Sequence, residues 1–465
     1  GYEFDNRYSV SGSGRRDTSS RFSPENASLW FFSGALGWNV SNEKWFNVKA
    51  INSLKFRASY GETGNNRTGN TVNAFLPTLG LNLPASLGDE TSPGISPNNA
   101  ANSDLRWETQ IKQNYGLNIG FLYDQIQFGV DYYKNRSEDL LIPVELPSSA
   151  GIPGNAQTGS TVIRNVGVVE VDGFDFTLGY NDYEGKFKWN FWANLTTNRS
   201  IVESLGISGE PIERARLNPP FASALNRLAV NEAPFHFFGL VADGVYSTQE
   251  QVDAELPNNG DAAVPVQPGD VRFLDLNGDG LINLDDRAVI GDPNPDFTYA
   301  INLRAEYNGW DFDVLFNGVQ GVDAFNSNIF YLEGLDNGLN YGTRVLRRWQ
   351  NPGDITDIPR FRFGSNINNE ISSRYIEDAS YLRLRNVTVG YTFPNTLINK
   401  SGIGIIKKLR FYVQGQNLLT FTNYTGLDPE IAPFYNAQGL VDGLGIDRSA
   451  QPRPITVLSG VQIEF

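Results

Sequence analysis

The chain has 465 residues, with 37 basic and 52 acidic side chains and a formal net charge of −15, and that acidity argues against nucleic acid as a partner, because phosphate binding needs a basic face. The absence of cysteine excludes disulfide frameworks, Cys-based zinc sites and thiol catalysis. The single histidine, His236, excludes HExxH zinc sites and counts against Ser-His-Asp catalysis. The chain contains no methionine, even at position 1, and so reads as a processed or truncated piece. Its 47 glycines exceed the usual ~7%, and aromatics make up 12%. No stretch approaches the ~18–20 unbroken apolar residues of a membrane helix. The richest, Leu29 to Val40, is interrupted by Ser33 and Asn39. No signal-peptide pattern opens the chain. These facts exclude a helical membrane protein but not a transmembrane β-barrel, in which only every second residue faces lipid.

Alternation with a period of two recurs from one end to the other. Trp30, Phe32, Leu36, Trp38 and Val40 form the first clear set. Leu54, Phe56, Ala58 and Tyr60 alternate with Lys55, Arg57, Ser59 and Gly61, which puts the apolar set on one strand face and the charges on the other. Tyr115, Leu117, Ile119 and Phe121 are followed, after a turn at Tyr123-Asp124-Gln125, by Ile126, Phe128, Val130 and Tyr132. Phe187, Trp189, Phe191, Ala193 and Leu195 come next. Phe297, Tyr299, Ile301, Leu303 and Ala305 then lead through Asn308-Gly309 into Trp310, Phe312, Val314 and Phe316. Val387, Val389, Tyr391 and Phe393 precede Leu409, Phe411 and Val413, and the last set is Ile455, Val457, Val461, Ile463 and Phe465. The pattern predicts about 13 antiparallel strands, several of about ten residues, the length that spans a membrane at barrel tilt.

Short turns, such as Glu184-Gly185, alternate with long polar segments at Gly64 to Leu105, Pro143 to Arg164, Ser204 to Phe235 and Gln320 to Ser380. Short turns on one side and long loops on the other are the outer-membrane pattern. A soluble β-sandwich or solenoid would alternate too. Against it stand the aromatics near strand ends, as in interfacial girdles, and the Lys, Arg, Asp, Asn and Gln at mid-strand. The chain also stops in mid-alternation at Phe465, as a closing strand facing lipid would.

Several segments carry a family resemblance. They are Arg15-Arg16-Asp17 with Ser19-Ser20-Arg21-Phe22, Gly37-Trp38-Asn39-Val40-Ser41, LKFRASYGETGNN from Leu54, and Ser103-Asp104-Leu105-Arg106-Trp107-Glu108. Further along stand the stretch from Gly269 to Leu303, EDASYLRLRNVTVGYTFP from Glu377, Gln416-Asn417-Leu418, and Tyr424 to Glu430. Taken in order, they resemble the SusC/RagA family of TonB-dependent outer-membrane transporters of Bacteroidota-type bacteria. The resemblance implies an all-β, transmembrane antiparallel barrel of about 22 strands with an N-terminal plug. Residues 1–465 would be the C-terminal part of that barrel, with plug and first strands upstream. It implies TonB-driven import of oligosaccharides or peptides in the outer membrane, beneath a SusD-like surface lipoprotein lid. It also implies contact with outer-membrane lipid and lipopolysaccharide, pairing of two transporter–lid units, and no enzymatic role. A passive porin-like channel and a soluble, surface-exposed adhesive or structural β-protein are the alternatives.

One local motif suggests a metal. Residues 275–286 read as a D-x-N-x-D-G calcium loop. Oxygen would come from the side chains of Asp275, Asn277, Asp279 and Asp286, from the Leu281 carbonyl, and from Asn283 directly or through water, with Gly280 at the sharp turn. Asp at the twelfth position and the lack of a preceding helix separate it from an EF-hand and make it similar to dockerin-type loops. An Asn/Asp/Gly turn needing no ion reads equally well from these residues. The pairs Asp285/Asp286 and Asp89/Glu90 are adjacent and do not form a glycosidase pair. His236 reads as an ordinary packed or exposed histidine. Loop aromatics Phe221, Phe330, Tyr331, Tyr341, Phe434 and Tyr435 could grip a sugar or peptide, or pack loop against loop. No substrate-binding residue is assigned.

Overall fold

The computed structural model describes residues 1–465 apart from 69–73, 88–89, 98–99, 147–148, 150–159, 207–208, 217–223, 256–264, 336–339, 364–366, 401–404 and 436–440. Asp89 and Phe221 lie outside the described residues. Thirteen strands form one antiparallel meander in chain order. They are β1 (Tyr2–Phe4), β2 (Tyr8–Thr18), β3 (Ser28–Asn39), β4 (Ile51–Asn65), β5 (Glu108–Phe121), β6 (Ile126–Glu138), β7 (Val168–Asp182), β8 (Phe187–Thr197), β9 (Phe297–Tyr307), β10 (Trp310–Gln320), β11 (Tyr381–Thr392), β12 (Lys408–Thr422) and β13 (Thr456–Glu464). A short strand, Arg199–Ser204, prolongs the pairing along β7.

The cross-strand register lines the alternating apolar residues into one continuous face. Tyr8 pairs with Trp38, Trp38 with Phe56, Phe56 with Leu117, Leu117 with Val130 and Val130 with Phe176. The row continues through Leu195 to Tyr299. Lower on the wall, Phe187, Tyr307, Trp310, Tyr391, Phe411 and Val461 follow one another across six strands. Among the described residues no second sheet packs on this face: Leu36 is 62% exposed and Val461 59%. That exposure rules out the sandwich, whose apolar face would be buried under a second sheet. Aromatics gather at both ends of the strands, as in membrane girdles. Trp310 and Tyr391 lie 4.9 Å apart at one end, and Phe297 and Tyr299 6.1 Å apart at the other.

The opposite face is polar and knitted by side chains across strands. Arg57 donates to Asn118 at 2.9 Å and to both oxygens of Asp131 at 2.8 and 2.9 Å. Arg410 donates to Asp311 at 2.8 and 2.5 Å.

The connections alternate in length as the sequence suggests. One side has tight turns, at 122–125, 183–186 and 308–309, and somewhat longer links at 40–50 and 393–407. At 308–309 both residues are left-handed (Asn308 φ 50°, Gly309 φ 87°), which matches a two-residue hairpin to strand twist. The other side carries 66–107, 139–167, 198–296, 321–380 and 423–455. These segments read as polar loops in the sequence, but the largest buried apolar cluster lies in them rather than in the wall. Its members include Ala215, Leu225, Phe237, Phe325, Phe330, Tyr375 and Ile446, drawn from three separate connections. Their apolar residues follow no fixed period, so only the folded chain brings them together.

The two wall faces make opposite predictions for one strand. Leu303→Arg, mid-belt on β9, should cost about 2–4 kcal/mol of barrel stability. Asn302→Arg, its inward-facing neighbour, should cost well under half of that. Urea unfolding of the receptor in lipid vesicles, followed by band shift on cold electrophoresis, measures both.

Candidate functional site

The long connections fold into a cap at one end of the polar wall, and several of the segments that carry the family resemblance help to build it. Near β2 to β5, Phe22, Phe31, Leu105 and Trp107 are buried together with Ala74, Leu141 and Ile163. Trp107 packs against Phe22 with ring centres 5.5 Å apart and planes tilted by 55°, and its indole N–H donates to the Ala27 carbonyl at 3.1 Å. Beside it Arg106 grips Asp139 with two bonds of 2.6 and 2.8 Å. The motif Asp104 to Glu108 therefore pins connection 66–107 to connection 139–167.

A second junction joins β11 to connection 423–455. The ladder slips between Leu384 and Asn386, so the strand bends there and both Arg383 and Arg385 reach one cluster of acids. Arg383 is 2% exposed and donates to Asp428 at 2.6 Å, Glu430 at 2.9 Å and Thr420 at 3.0 Å. Arg385 and Arg453 add bonds to Glu430 at 3.2 and 2.8 Å. Glu377, at the head of the same motif, accepts from the Thr425 amide and hydroxyl at 2.8 and 2.7 Å. Burial opposes the charge on Asp428, but the amides of Arg453 and Glu430 and the Arg383 guanidinium outweigh it, holding the carboxyl below the usual range. Tyr424 donates to Asp447 at 2.6 Å, and burial together with that carboxylate pushes the phenol upward.

A third junction centres on Asp270, which is fully buried. It takes hydrogen bonds from Arg360 at 2.8 Å, Arg362 at 2.7 Å and Asn368 at 3.2 Å. It thereby joins connection 198–296 to connection 321–380. Sequence reading missed Arg383 and Asp270 as organising residues. The available signal was a pair of arginines, Arg383 and Arg385, in step with the apolar Val387, Val389 and Tyr391, and an Asp-x-Glu pair, Asp428 and Glu430, in a loop.

The other candidates fall as follows. His236 is packed rather than exposed, with Nδ1 2.8 Å from the Ala233 carbonyl, and burial lowers its basicity. Phe330 is buried in the cap core and Phe434 packs on it, whereas Tyr331 and Tyr435 are about half exposed. Asp285 and Asp286 diverge, the first exposed and the second fully buried.

The 275–286 loop is formed, with Gly278 and Gly280 left-handed (φ 75° and 79°). Asp275 accepts from the amides of Gly278 and Gly280 at 2.7 and 2.8 Å, and these bonds, the one from Gly280 foremost, lower its pKa. Asp279 accepts from the Leu281 amide, and Asn283 from the Asp285 amide. Asp286 takes the amides of Leu276 and Asn283 at 3.0 and 2.8 Å. The donor types and the turn suit a hard cation. Among the described residues, however, no three Asp, Glu or His side chains converge as a ligand group.

A wall with one apolar and one polar face, tight turns below and a folded cap above, defines an outer-membrane β-barrel protein. Residues 1–418 match the family model described as TonB dependent receptor-like, beta-barrel, and the chain belongs to that family. It is 31% identical over 470 residues to TonB-dependent receptor P3 of Formosa agariphila, covering 100% of this chain and 44% of that protein. It is 29% identical over 470 residues to TonB-dependent receptor SusC of Bacteroides thetaiotaomicron, covering 100% of this chain and 43% of that protein. A chain of the solved RagAB peptide transporter shares its fold, with a TM-score of 0.79 at 24% identity, over 99% of this chain and 46% of that one. The chain thus spans less than half the length of the relatives it matches. The family is one of receptors and transporters of the outer membrane. The tight turns accordingly face the periplasm and the cap faces outward.

Removing the Arg383 charge leaves buried acids without their partner, which costs about 3–5 kcal/mol. Arg383→Met should therefore expose residues 423–455 to protease while the wall stays folded. The wild-type Asp428 contribution, resting on a lowered pKa, should be complete at neutral pH. It should fade as pH falls below about 4 and through that lowered value. Limited proteolysis across pH, with mass-spectrometric mapping of cut sites, checks both.

Proposed function

We propose that the complete receptor actively imports oligomers, oligosaccharides or peptides, across the outer membrane. The observation that carries this reading is the polar inner wall standing beneath a cap folded from several connections. A wet passage with an ordered outer mouth suits selective entry better than free diffusion. The relatives' names, TonB-dependent receptor SusC and the RagAB peptide transporter, support the same reading. In this proposal TonB supplies the energy through a plug encoded outside these residues. A SusD-like surface lipoprotein closes the mouth, resting on the cap and its exposed aromatics Tyr331 and Tyr435, and two such pairs associate. Further strands close the barrel, because unpaired sheet edges in hydrocarbon are costly.

Calcium at the 275–286 loop is part of this proposal, with a stiffening and not a catalytic role. Asp275, Asn277, Asp279, Asn283, Asp286 and the Leu281 carbonyl would hold it. Calcium titration of the purified receptor should slow amide exchange across 275–286, and Asp279→Ala should abolish the effect. Unchanged exchange in the wild type would leave an ion-free turn.

For import itself, cells carrying the full receptor should accumulate fluorescent oligomers only with TonB and a proton gradient. Co-purification should recover a lipoprotein whose loss reduces uptake several-fold. Accumulation that persists without TonB would identify a passive channel instead.

A further inference from the structure

Four short strands form a sheet within the cap: Ile212–Arg216, Ala224–Leu228, His236–Gly239 and Ala288–Gly291. The turn 229–235 joins the middle pair and fastens the sheet to the wall. The Val202 amide donates to the Glu232 carbonyl at 2.9 Å, and the Asn231 amide to the Val202 carbonyl at 2.8 Å. Val202 is fully buried and lies in the short strand that prolongs the pairing along β7. Asn226 donates to the Phe235 carbonyl at 2.6 Å and exchanges longer bonds, 3.2 and 3.4 Å, with the Leu444 backbone, so connection 423–455 meets the same turn. The turn is strained. Asn231 (φ 67°) and Phe235 (φ 63°) are left-handed, a backbone that a side chain as bulky as phenylalanine rarely adopts.

The chain's single histidine clamps this turn. His236 is 1% exposed. Its Nδ1 faces the Ala233 carbonyl at 2.8 Å, which only accepts, so Nδ1 carries a proton. Its Nε2 faces two neighbours with opposite demands. Arg227, the register partner, offers Nε–H at 3.2 Å and needs a lone pair. Glu232 presents Oε2 at 2.6 Å and needs a proton. The ring satisfies one at a time, Arg227 when neutral and Glu232 when protonated. Arg227 also holds both Glu232 oxygens, at 3.0 and 3.1 Å, and stands 3.4 Å over the Phe238 ring. A proton at Nε2 therefore disturbs the whole fastening. Asp292, just beyond Ala288–Gly291, is the other charge that bears on the ring. Glu232 is 34% exposed and gives water a route to Nε2.

We infer that His236 is an acid-sensitive latch on the cap: a second proton at Nε2 breaks its bond with Arg227 and releases turn 229–235, and with it the cap sheet, from the wall. Burial foremost, with Arg227, holds the imidazole below its ordinary value against the pull of Ala233, Glu232 and Asp292. The opened turn thus binds the proton more tightly than the closed one, and acid draws the equilibrium towards the open form. The latch is intact above about pH 6.5 and gives way as pH falls below that and through the lowered value. The Arg383 junction stays closed in this window, because Asp428 keeps its charge until below about pH 4.

Hydrogen exchange of the full receptor, followed by mass spectrometry between about pH 7.5 and 5.5 and corrected for the intrinsic pH dependence of exchange, tests this. Exchange at 229–239 should rise several-fold in acid, while 297–320 in the wall and 424–430 at the Arg383 junction stay unchanged. His236→Gln accepts from Arg227 but takes up no proton, so it should keep the neutral protection and lose the acid response. Glu232→Gln removes the acceptor that favours the second proton, and should enlarge the response. If His236→Gln leaves the turn open even at neutral pH, Glu232→Gln decides alone. Exchange that ignores pH overturns the inference, and so does an acid response that survives in His236→Gln. A response that vanishes in Glu232→Gln overturns it too, by making Glu232 the titrating group.

Discussion

Hydrocarbon offers no partner to a backbone N–H or C=O, and most of this structure follows from that constraint. Each group must be paired within the sheet, so the chain runs as an unbroken antiparallel meander, each strand hydrogen-bonded to the next. Strand geometry then sends successive side chains to opposite faces. Leu36 and Val461 can face lipid while Arg57 and Arg410, on those same or neighbouring strands, face water. A register slip of one residue would exchange the two environments along a whole strand, so the pattern fixes the pairing as firmly as the hydrogen bonds do.

The cap obeys different physics. Its backbone is in water, so it can depart from the ladder, and what holds it is ordinary burial plus a few charged junctions. Phe237, Phe325 and Tyr375 supply the apolar core, and Arg383 and Asp270 each tie several segments of chain to one point. A buried ion hub of this kind contributes little net stability over an apolar packing of the same volume, but it is costly to break in part. It therefore serves to hold one arrangement of loops above the wall. The membrane wall provides a frame, and the cap stands at its outward end.

The inner wall lies between these regimes. Its charges are matched where they brace strand against strand, as at Arg57 with Asp131.

What the sequence determined by itself is the two-faced wall. Alternation is a local property, readable in Phe297 to Phe316 without knowing any partner strand, and Asn308-Gly309 marks its own turn through the backbone angles it tolerates. The contrast of tight turns with long connections, and the family resemblance, were legible for the same reason. The tertiary structure alone decided which connections meet. Arg383 finds Asp428 across 45 residues and Asn368 finds Asp270 across 98, with no spacing rule to announce either. It also showed that stretches read as polar loops hold a buried core, and that His236 is buried beside the Ala233 carbonyl. Lipid imposes its order on each strand separately, whereas a core or a charge cluster exists only once distant segments have been brought together.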